Sequence, residues 1–483
     1  MKRFFWLCMV FWVGVSLQPA RAQLRIEVDN TRPRLDQQGQ PVDAHDGRVI
    51  RFGAYFYWYG TRYGRTNGFT PANRYQVYRS RDLQDWELMG PLLPEAPAGV
   101  YYRPHVVYHA GRRQYVLWYN WYPKLWEGQF GVAVSDRPEG PFRIVHDDVQ
   151  VAHSDIGVGD FGLFVDEDQT AYLTYNTIAG HQVSVEKLAP DYLSSTLENG
   201  GFMAKQCEAG SMFRRGEFYY LLTDYTCCFC NQGSGARVYR SRTPLRGYTL
   251  LNNINRRPGP SLPRLADGEA WTSDFEPLAR QDSIYPPLRL VLDQPTALAG
   301  LTAYVFTANR PGPCGEVENP QVHEPFRVPQ FSFFSQENGS WEPLPAELSS
   351  VDSLGMICRV TYRFPQAQVL RALNIQPESD APEGIIRLTE FAPQSRGVRP
   401  SFRVFRDAGL NGPVIIPAQQ THIMQIETSG GPEFIWMGDM WGSAPDHIKG
   451  HDWQYWGAPL RFDAAGHIEP MRFTPAWSFL ITD

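Results

Sequence analysis

The chain has 483 residues and a formal net charge of −6, with no clustered Lys and Arg, which excludes a partner held by its phosphate backbone. Aromatics at 14 %, with 42 Gly and 39 Pro, suit many short strands joined by tight turns and argue against long amphipathic helices. The class is all-β, and beyond the N-terminal region no run of about 20 apolar residues offers a membrane span.

Residues 1–22 read as a secretory signal peptide: Lys2 and Arg3, an apolar stretch from Phe4 to Leu17, then the small-residue cleavage site Ala20-Arg21-Ala22. Cys8 lies inside the apolar stretch rather than at a cleavage point, so no lipid attachment is expected there. The mature chain is expected to be secreted or periplasmic. Without Cys8 six cysteines remain, an even number suited to an oxidising compartment. The favoured disulfides are Cys314 with Cys358, and Cys207 with one of Cys227, Cys228 and Cys230. A zinc site is the weaker alternative, because the spacings lack a second Cys-x-x-Cys or a His pair.

A two-part unit then recurs, an aromatic β-rich run followed by a strand that ends in a Ser- or Asp-containing turn. The aromatic runs are YFYWYG at 55 to 60, YVLWYN at 115 to 120, AYLTYN at 171 to 176 and FYYLLTD at 218 to 224. They start 60, 56 and 47 residues apart, the period of a four-stranded propeller blade with some loop growth. A fifth pair, FIWMGDMW at 434 to 441 and APLRFDAAGHIEPMRF at 458 to 473, keeps the period only if a segment of about 155 residues is an insertion. Residues 23–257 are therefore expected to form blades 1–4 of a five-bladed β-propeller, 258–413 an inserted domain, and 414–483 blade 5 and the closure. Inside the insert, alternating runs at 288–294, 301–308, 326–334, 357–364, 369–376 and 384–391 predict a β-sandwich of jelly-roll or discoidin-like type. Sugar binding and a purely structural extension are equally open roles for it.

Three carboxylates keep phase with the repeat. Asp46 lies 11 residues before Tyr57, Asp160 lies 12 before Tyr172, and Glu208 lies 11 before Tyr219. The innermost strand of each blade lines the propeller axis, so matching positions map to a ring at one mouth. That ring would hold Asp46, Tyr102-Arg103, Asp160, Glu208 and Gln419. Crowded carboxylates push at least one pKa upward, so that one can donate a proton while another stays ionised, as glycosidic bond cleavage requires.

These residues resemble glycoside hydrolase family 43. The phrases that carry the likeness are DGRVIRFG at 46 to 53, LFVDEDQTAYLTY after Asp160 and EAGSMFRRGEFYYL from Glu208. The resemblance implies an inverting hydrolase with Asp46 as general base, Asp160 as pKa modulator and Glu208 as general acid, base and acid standing about 6.5 to 9.5 Å apart. Other phrases, Asp43-Ala44-His45, YFYWYG, RPHVVYHAGRRQYVLWY and AQQTHIMQI, are similar to its exo-β-1,3-galactanase subfamily, where a Gln matched by Gln419 takes part in the site. Two departures stand out: Asp46 where that subfamily typically has Gly, and Tyr102 where it carries a Glu before Arg-Pro. The first restores an ordinary base and acid pair; the second removes a sugar contact.

Expected to touch substrate are His45, Tyr102, Arg103, Gln419, Trp118 and Trp441; Arg103 could equally serve a structural ion pair. Trp58, Trp121 and Trp126 are further stacking candidates, although most aromatics in blade strands are core. His45, His105, His153 and His422 fit no metal-ligand spacing, so no metal is assigned and no cofactor is required, with a structural calcium ion left open by the resemblance. The reading is an exo-acting hydrolase on β-1,3-galactan or arabinogalactan side chains, functioning as a monomer. An α-L-arabinofuranosidase or β-xylosidase is the alternative within the family, and a non-catalytic carbohydrate-binding propeller the alternative outside it.

Overall fold

The computed structural model describes residues 23–66, 68–124, 126–205, 207–225, 229, 236–256, 261–272, 275–280, 285–307, 326–337, 340–354, 357–380, 384–406, 414–428 and 430–482. The expected signal peptide, Cys227, Cys228, Cys230 and Cys314 lie outside the described residues. After β1 (Gln23–Asp29), blade 1 is β2 (His45–Phe52), β3 (Tyr55–Arg62), β4 (Arg74–Ser80) and β5 (Glu87–Pro91). Blade 2 is β6 (Val100–His109), β7 (Gln114–Tyr122), β8 (Gln129–Ser135) and β9 (Arg143–His146). Blade 3 is β10 (Val158–Val165), β11 (Ala171–Thr177), β12 (Gln182–Leu188) and β13 (Ser195–Lys205). Blade 4 is β14 (Cys207–Arg215), β15 (Phe218–Tyr225), β16 (Arg237–Ser241) and β17 (Thr249–Asn253). Each is an antiparallel meander in chain order.

The blades are apolar on both faces because each face packs on a different neighbour. Along β3, Trp58 packs edge-to-face on Trp86 and tilts against Trp456, in a core shared with blade 5. Tyr57 and Tyr59 point the other way, into a core shared with Tyr101 and Tyr119 of blade 2. Three more cores join blades 2 and 3, 3 and 4, and 4 and 5, so five apolar seams close the ring.

The insert follows blade 4. Its strands are β18 (Glu276–Ala279), β19 (Leu288–Phe306), β20 (Gln330–Glu337), β21 (Ser340–Leu344), β22 (Glu347–Leu354), β23 (Ile357–Glu378), β24 (Ile385–Ser395) and β25 (Phe402–Arg406). Two expected strand pairs are each one long strand here: 288–294 and the first six residues of 301–308 fall in β19, and 357–364 and 369–376 in β23. Their mutual register breaks midway, between Val291 and Thr296 and again between Leu298 and Gly300. The first part of β19 pairs with β25 and the second with β24, so the two halves fold over one core that includes Leu290, Leu301, Val360, Leu373 and Phe391.

Blade 5 has three strands, β26 (Gln419–Thr428), β27 (Gly431–Met440) and β28 (Trp453–Trp456). The expected strand within 458 to 473 is not formed beyond a Phe462–Ile468 bridge, because Pro459, Pro470 and the Asp463–Gly466 turn interrupt it. The last strand, β29 (Ala476–Thr482), pairs antiparallel with β1, and Ile26, Val28 and Ile481 fill the seam between blades 5 and 1. Among the described residues Cys207 and Cys358 are free thiols, and the partners expected for them lie outside the described residues. Both side chains are buried in apolar cores, where a thiol packs as a small hydrophobe.

Candidate active site at the mouth of the propeller

Each innermost strand loses register with its neighbour at the same depth. Pairing skips from His45 to Arg48 in β2, Tyr102 to His105 in β6, Val158 to Phe161 in β10, Glu208 to Ser211 in β14 and Gln420 to His422 in β26. A bulge frees residues from the ladder and re-aims their side chains. Asp46, Arg103 and Ala209 take left-handed backbone there, at φ 53°, 49° and 53°. Next to Asp46 only glycine fits, since a Cβ on Gly47 would lie 2.5 Å from the Ala44 carbonyl oxygen. The three acids consequently do not share one rung, as their phase suggested. Asp46 is the first unpaired residue of its bulge, Asp160 the second, and Glu208 the last paired residue before its own. The bulges bring these neighbouring rungs to one mouth.

The bulges are held by a device repeated at every seam. A polar side chain on the second strand of each blade bonds the backbone of the next blade's inner strand. Thr61 Oγ1 accepts the Arg103 N–H at 3.3 Å, Asn120 Nδ2 donates to the Val158 carbonyl at 3.4 Å, and Thr174 Oγ1 donates to the Gly210 carbonyl at 2.7 Å. Asp224 accepts the Gln420 N–H at 2.9 Å, and Asp439 completes the circuit by accepting the Asp46 N–H at 2.7 Å. The other Asp439 oxygen meets His45 Nδ1 at 3.1 Å. Burial pulls His45 down, but Asp439, Asp43 and Asp46 outweigh it and set the imidazole at about 9, so it is cationic at neutral pH.

Asp46, Arg103, Asp160, Glu208 and Gln419 line one pocket. Asp46 and Glu208 are each 6 % exposed, whereas the Asp160 side chain is 22 % exposed and forms a 2.9 Å ion pair with buried Arg103. Burial lifts the Asp46 carboxyl to about 6; Asp439 and Asp160 add to the rise, while Arg103 and the Tyr63 hydroxyl, donating at 2.5 Å, oppose it. Against the pull of burial, Asp160, Asp46 and Glu208 hold Arg103 above its ordinary value. Across the mouth, the Trp441 indole N–H donates to Gln419 Oε1 at 2.7 Å. An indole nitrogen can only donate, so the Gln419 amide must turn its NH2 to Glu208 Oε1, 3.0 Å away.

Below the acids, the first residue after each bulge plugs the axis: Arg48, His105, Phe161, Ser211 and His422. Arg48 donates to the Leu163 carbonyl at 3.0 Å and meets His105 Nδ1 at 3.3 Å, while Ser211 Oγ meets His422 Nδ1 at 3.2 Å. Burial, then Arg48, drives both imidazoles far below their ordinary value, so they are neutral hydrogen-bonding groups. A guanidinium and two imidazoles do not suit calcium, which takes six to eight oxygen ligands. No cluster of three metal-ligating side chains occurs among the described residues.

Of the expected substrate contacts, Tyr102, Arg103 and Gln419 line the pocket, with Tyr102 set in an aromatic wall beside Tyr63, Phe69 and Phe229. His45 and Trp441 sit behind that lining, their rings tilted against each other with centroids 5.0 Å apart. Trp118 is not at the site: it is 0 % exposed in the seam between blades 2 and 3, and its indole N–H donates to the Tyr192 carbonyl. Trp58 and Trp121 are likewise core residues. Trp126 is the candidate that reaches the mouth, 57 % exposed on left-handed backbone at φ 66°, a costly conformation for so bulky a residue. Sequence reasoning missed Tyr63 and Phe69, which come from a loop without periodicity. It also missed Asp439, although a carboxylate inside the apolar run FIWMGDMW was a visible signal.

Residues 40–253 match the model of glycosyl hydrolases family 43. No curated protein matched the chain. Among solved structures, an exo-β-1,3-galactanase from Clostridium thermocellum superposes with a TM-score of 0.52 at 17 % identity, over 93 % of this chain and 66 % of that one. A β-1,3-galactosidase crystallised with galactodeoxynojirimycin gives 0.52 at 15 % identity, over 94 % of this chain and 100 % of that one. Another β-1,3-galactosidase gives 0.52 at 16 % identity, over 93 % and 63 %. At such identities the likeness is one of fold.

Proposed function

Because residues 40–253 match the model of glycosyl hydrolases family 43, we propose that the chain is an exported, exo-acting, inverting enzyme of that family that removes terminal galactose from β-1,3-galactan or arabinogalactan side chains. The observation that carries this reading is the convergence of Asp46, Asp160 and Glu208 on one pocket, each in a different electrostatic setting. Asp46, poised at about 6 and gripped by Tyr63, suits the general base that takes a proton from water. Glu208 suits the acid: it is buried at the mouth, and Gln419 Nε2 donates to its Oε1, which orients the carboxyl in the pocket. Asp160, ion-paired with Arg103 in the same pocket, suits the modulating role. The β-1,3-galactan assignment draws on the names of the structures that share the fold.

The aromatic wall around Tyr102 favours a second reading, an α-L-arabinofuranosidase or β-xylosidase, because it offers a pentose apolar contact where a carboxylate would grip galactose. Digestion of β-1,3-galactan, arabinan and xylan, followed by proton NMR in the first minutes, separates the two. Galactose released as the α-anomer from galactan alone is the expected result. Release of arabinose or xylose instead moves the assignment to the second reading, and the β-anomer of galactose overturns inversion.

Tyr63 gives a pH test. Its hydroxyl stabilises the ionised Asp46, so Tyr63→Phe should raise the Asp46 pKa and move the acidic limb of kcat/KM from near pH 6 upward, by roughly one pH unit for one charge-assisted hydrogen bond. An unmoved limb would assign that limb to another group.

A further inference from the structure

A second cleft opens away from the mouth, where the propeller rim meets the sandwich. One wall is the outer part of blade 4, with Tyr239 on β16 and Tyr248, Thr249 and Asn252 at or near β17. The other is the sandwich, with Arg289 on β19, Trp341 and Glu342 on β21, and Asn374 and Gln376 on β23. The cavity volume is about 350 Å³, at the lower end of the roughly 300–1,000 Å³ usual for ligand sites. From the inner strand β14 to the outer strand β17 is three strand spacings, roughly 14 Å, so the cleft is separate from the acids.

The chemistry of its walls selects a class of ligand. Two tyrosines and a tryptophan supply flat apolar surface, and three amide side chains supply donors and acceptors on both walls. Arg289 is held in place, its guanidinium over the Trp341 ring at 4.9 Å and its Nε donating to Asn374 Oδ1 at 3.2 Å. Gln376 is fixed by donating to the Tyr285 carbonyl at 3.0 Å. Across from them, Asn252 donates through Nδ2 to the Ile468 carbonyl, but its buried Oδ1 has no hydrogen-bond partner. One arginine and one glutamate leave the walls with no net charge, so neither an anion nor a cation is favoured. Rigid aromatics beside preset amides and an unfilled acceptor match a neutral, hydroxyl-rich ligand.

We propose that this cleft binds an internal stretch of neutral polysaccharide and keeps the polymer on the enzyme while the mouth removes residues from its end. The proposal rests on the glycosidase reading for the identity of the polymer, but not for the binding itself. The test is electrophoresis of the protein carrying Glu208→Gln, which leaves substrate intact, through gels containing β-1,3-galactan, arabinogalactan, arabinan or xylan. At least one polymer should retard the protein. Adding Trp341→Ala should weaken that retardation at least about fivefold, an effect of roughly 1 kcal/mol. Thr249→Arg, which fills the cleft from the propeller wall without touching the sandwich core, should do the same. In the otherwise native enzyme, Thr249→Arg should leave hydrolysis of a disaccharide-sized substrate within about twofold while slowing hydrolysis of the polymer. Retardation by no polymer overturns the proposal, as does unchanged retardation of folded Thr249→Arg protein. Retardation by a polymer that the native enzyme does not hydrolyse keeps the cleft and removes the substrate assignment instead.

Discussion

Glu208→Gln is expected to lower turnover of a natural glycoside by about 10²–10⁴-fold, the usual contribution of a general acid, while leaving the fold unchanged. The replacement is nearly isosteric, and its amide oxygen can still accept from Gln419 Nε2, the contact that now spans 3.0 Å. What it lacks is a transferable proton. An aryl glycoside whose leaving phenol needs no protonation should therefore lose much less rate than a disaccharide. That difference separates an acid from a residue that merely shapes the pocket. Full activity on the natural glycoside, or equal losses on both substrates, would remove Glu208 from the acid role.

Asp46→Asn is expected to cut both substrates by a similar factor, again about 10²–10⁴, because base assistance to water is needed whatever the leaving group. The same substitution should stabilise the protein. The sign follows from the carboxyl's folded pKa of about 6, above its unfolded value of 3.8: the unfolded chain releases the proton first, so stability falls as pH rises from near 4 through 6 and stays lower above. Removing the charge should recover on the order of 2–3 kcal/mol at pH 8 and almost nothing at pH 4. Urea unfolding of both forms at the two pH values measures it. A variant less stable at pH 8 would mean that Asn cannot replace the contacts made to Tyr63 and the surrounding backbone. A catalytic group that costs stability where it sits is common at active sites.

Much of this arrangement was legible in the chain because blades repeat. Aromatic runs at a near-constant spacing marked the second strand of blades 1 to 4, and the acids kept phase because every inner strand bulges at one depth. The exact slots were hidden, since a bulge shifts register by a residue without changing composition. Alternation also failed to separate Trp118 from Trp126. In a propeller both faces of a strand are buried, so Trp118 and its neighbours Leu117 and Tyr119 are all core, pointing into different seams. Trp126 lies in a turn, where periodicity carries no information. In the sandwich, β19 and β23 read as two strands each because Pro295 and Pro365 fall in their middles, yet the chain passes through without leaving the sheet. Loop residues such as Tyr63 and Phe69 had no pattern to betray them.

The seam-to-seam hydrogen bonds carry a consequence for how such a ring diverges. The backbone beneath Asp46 is held by Asp439 of blade 5, and the strand that bears Gln419 is held by Asp224 of blade 4. A blade thus keeps its neighbour's chemistry in place rather than its own. If ancestral blades arose by duplication, a new copy would inherit an acid without the partner that holds it, and the partner would have to change on a different repeat. Covariation across such a lineage should link each inner-strand position to the second strand of the blade before it, so that the smallest unit able to acquire a new catalytic group is a pair of adjacent repeats.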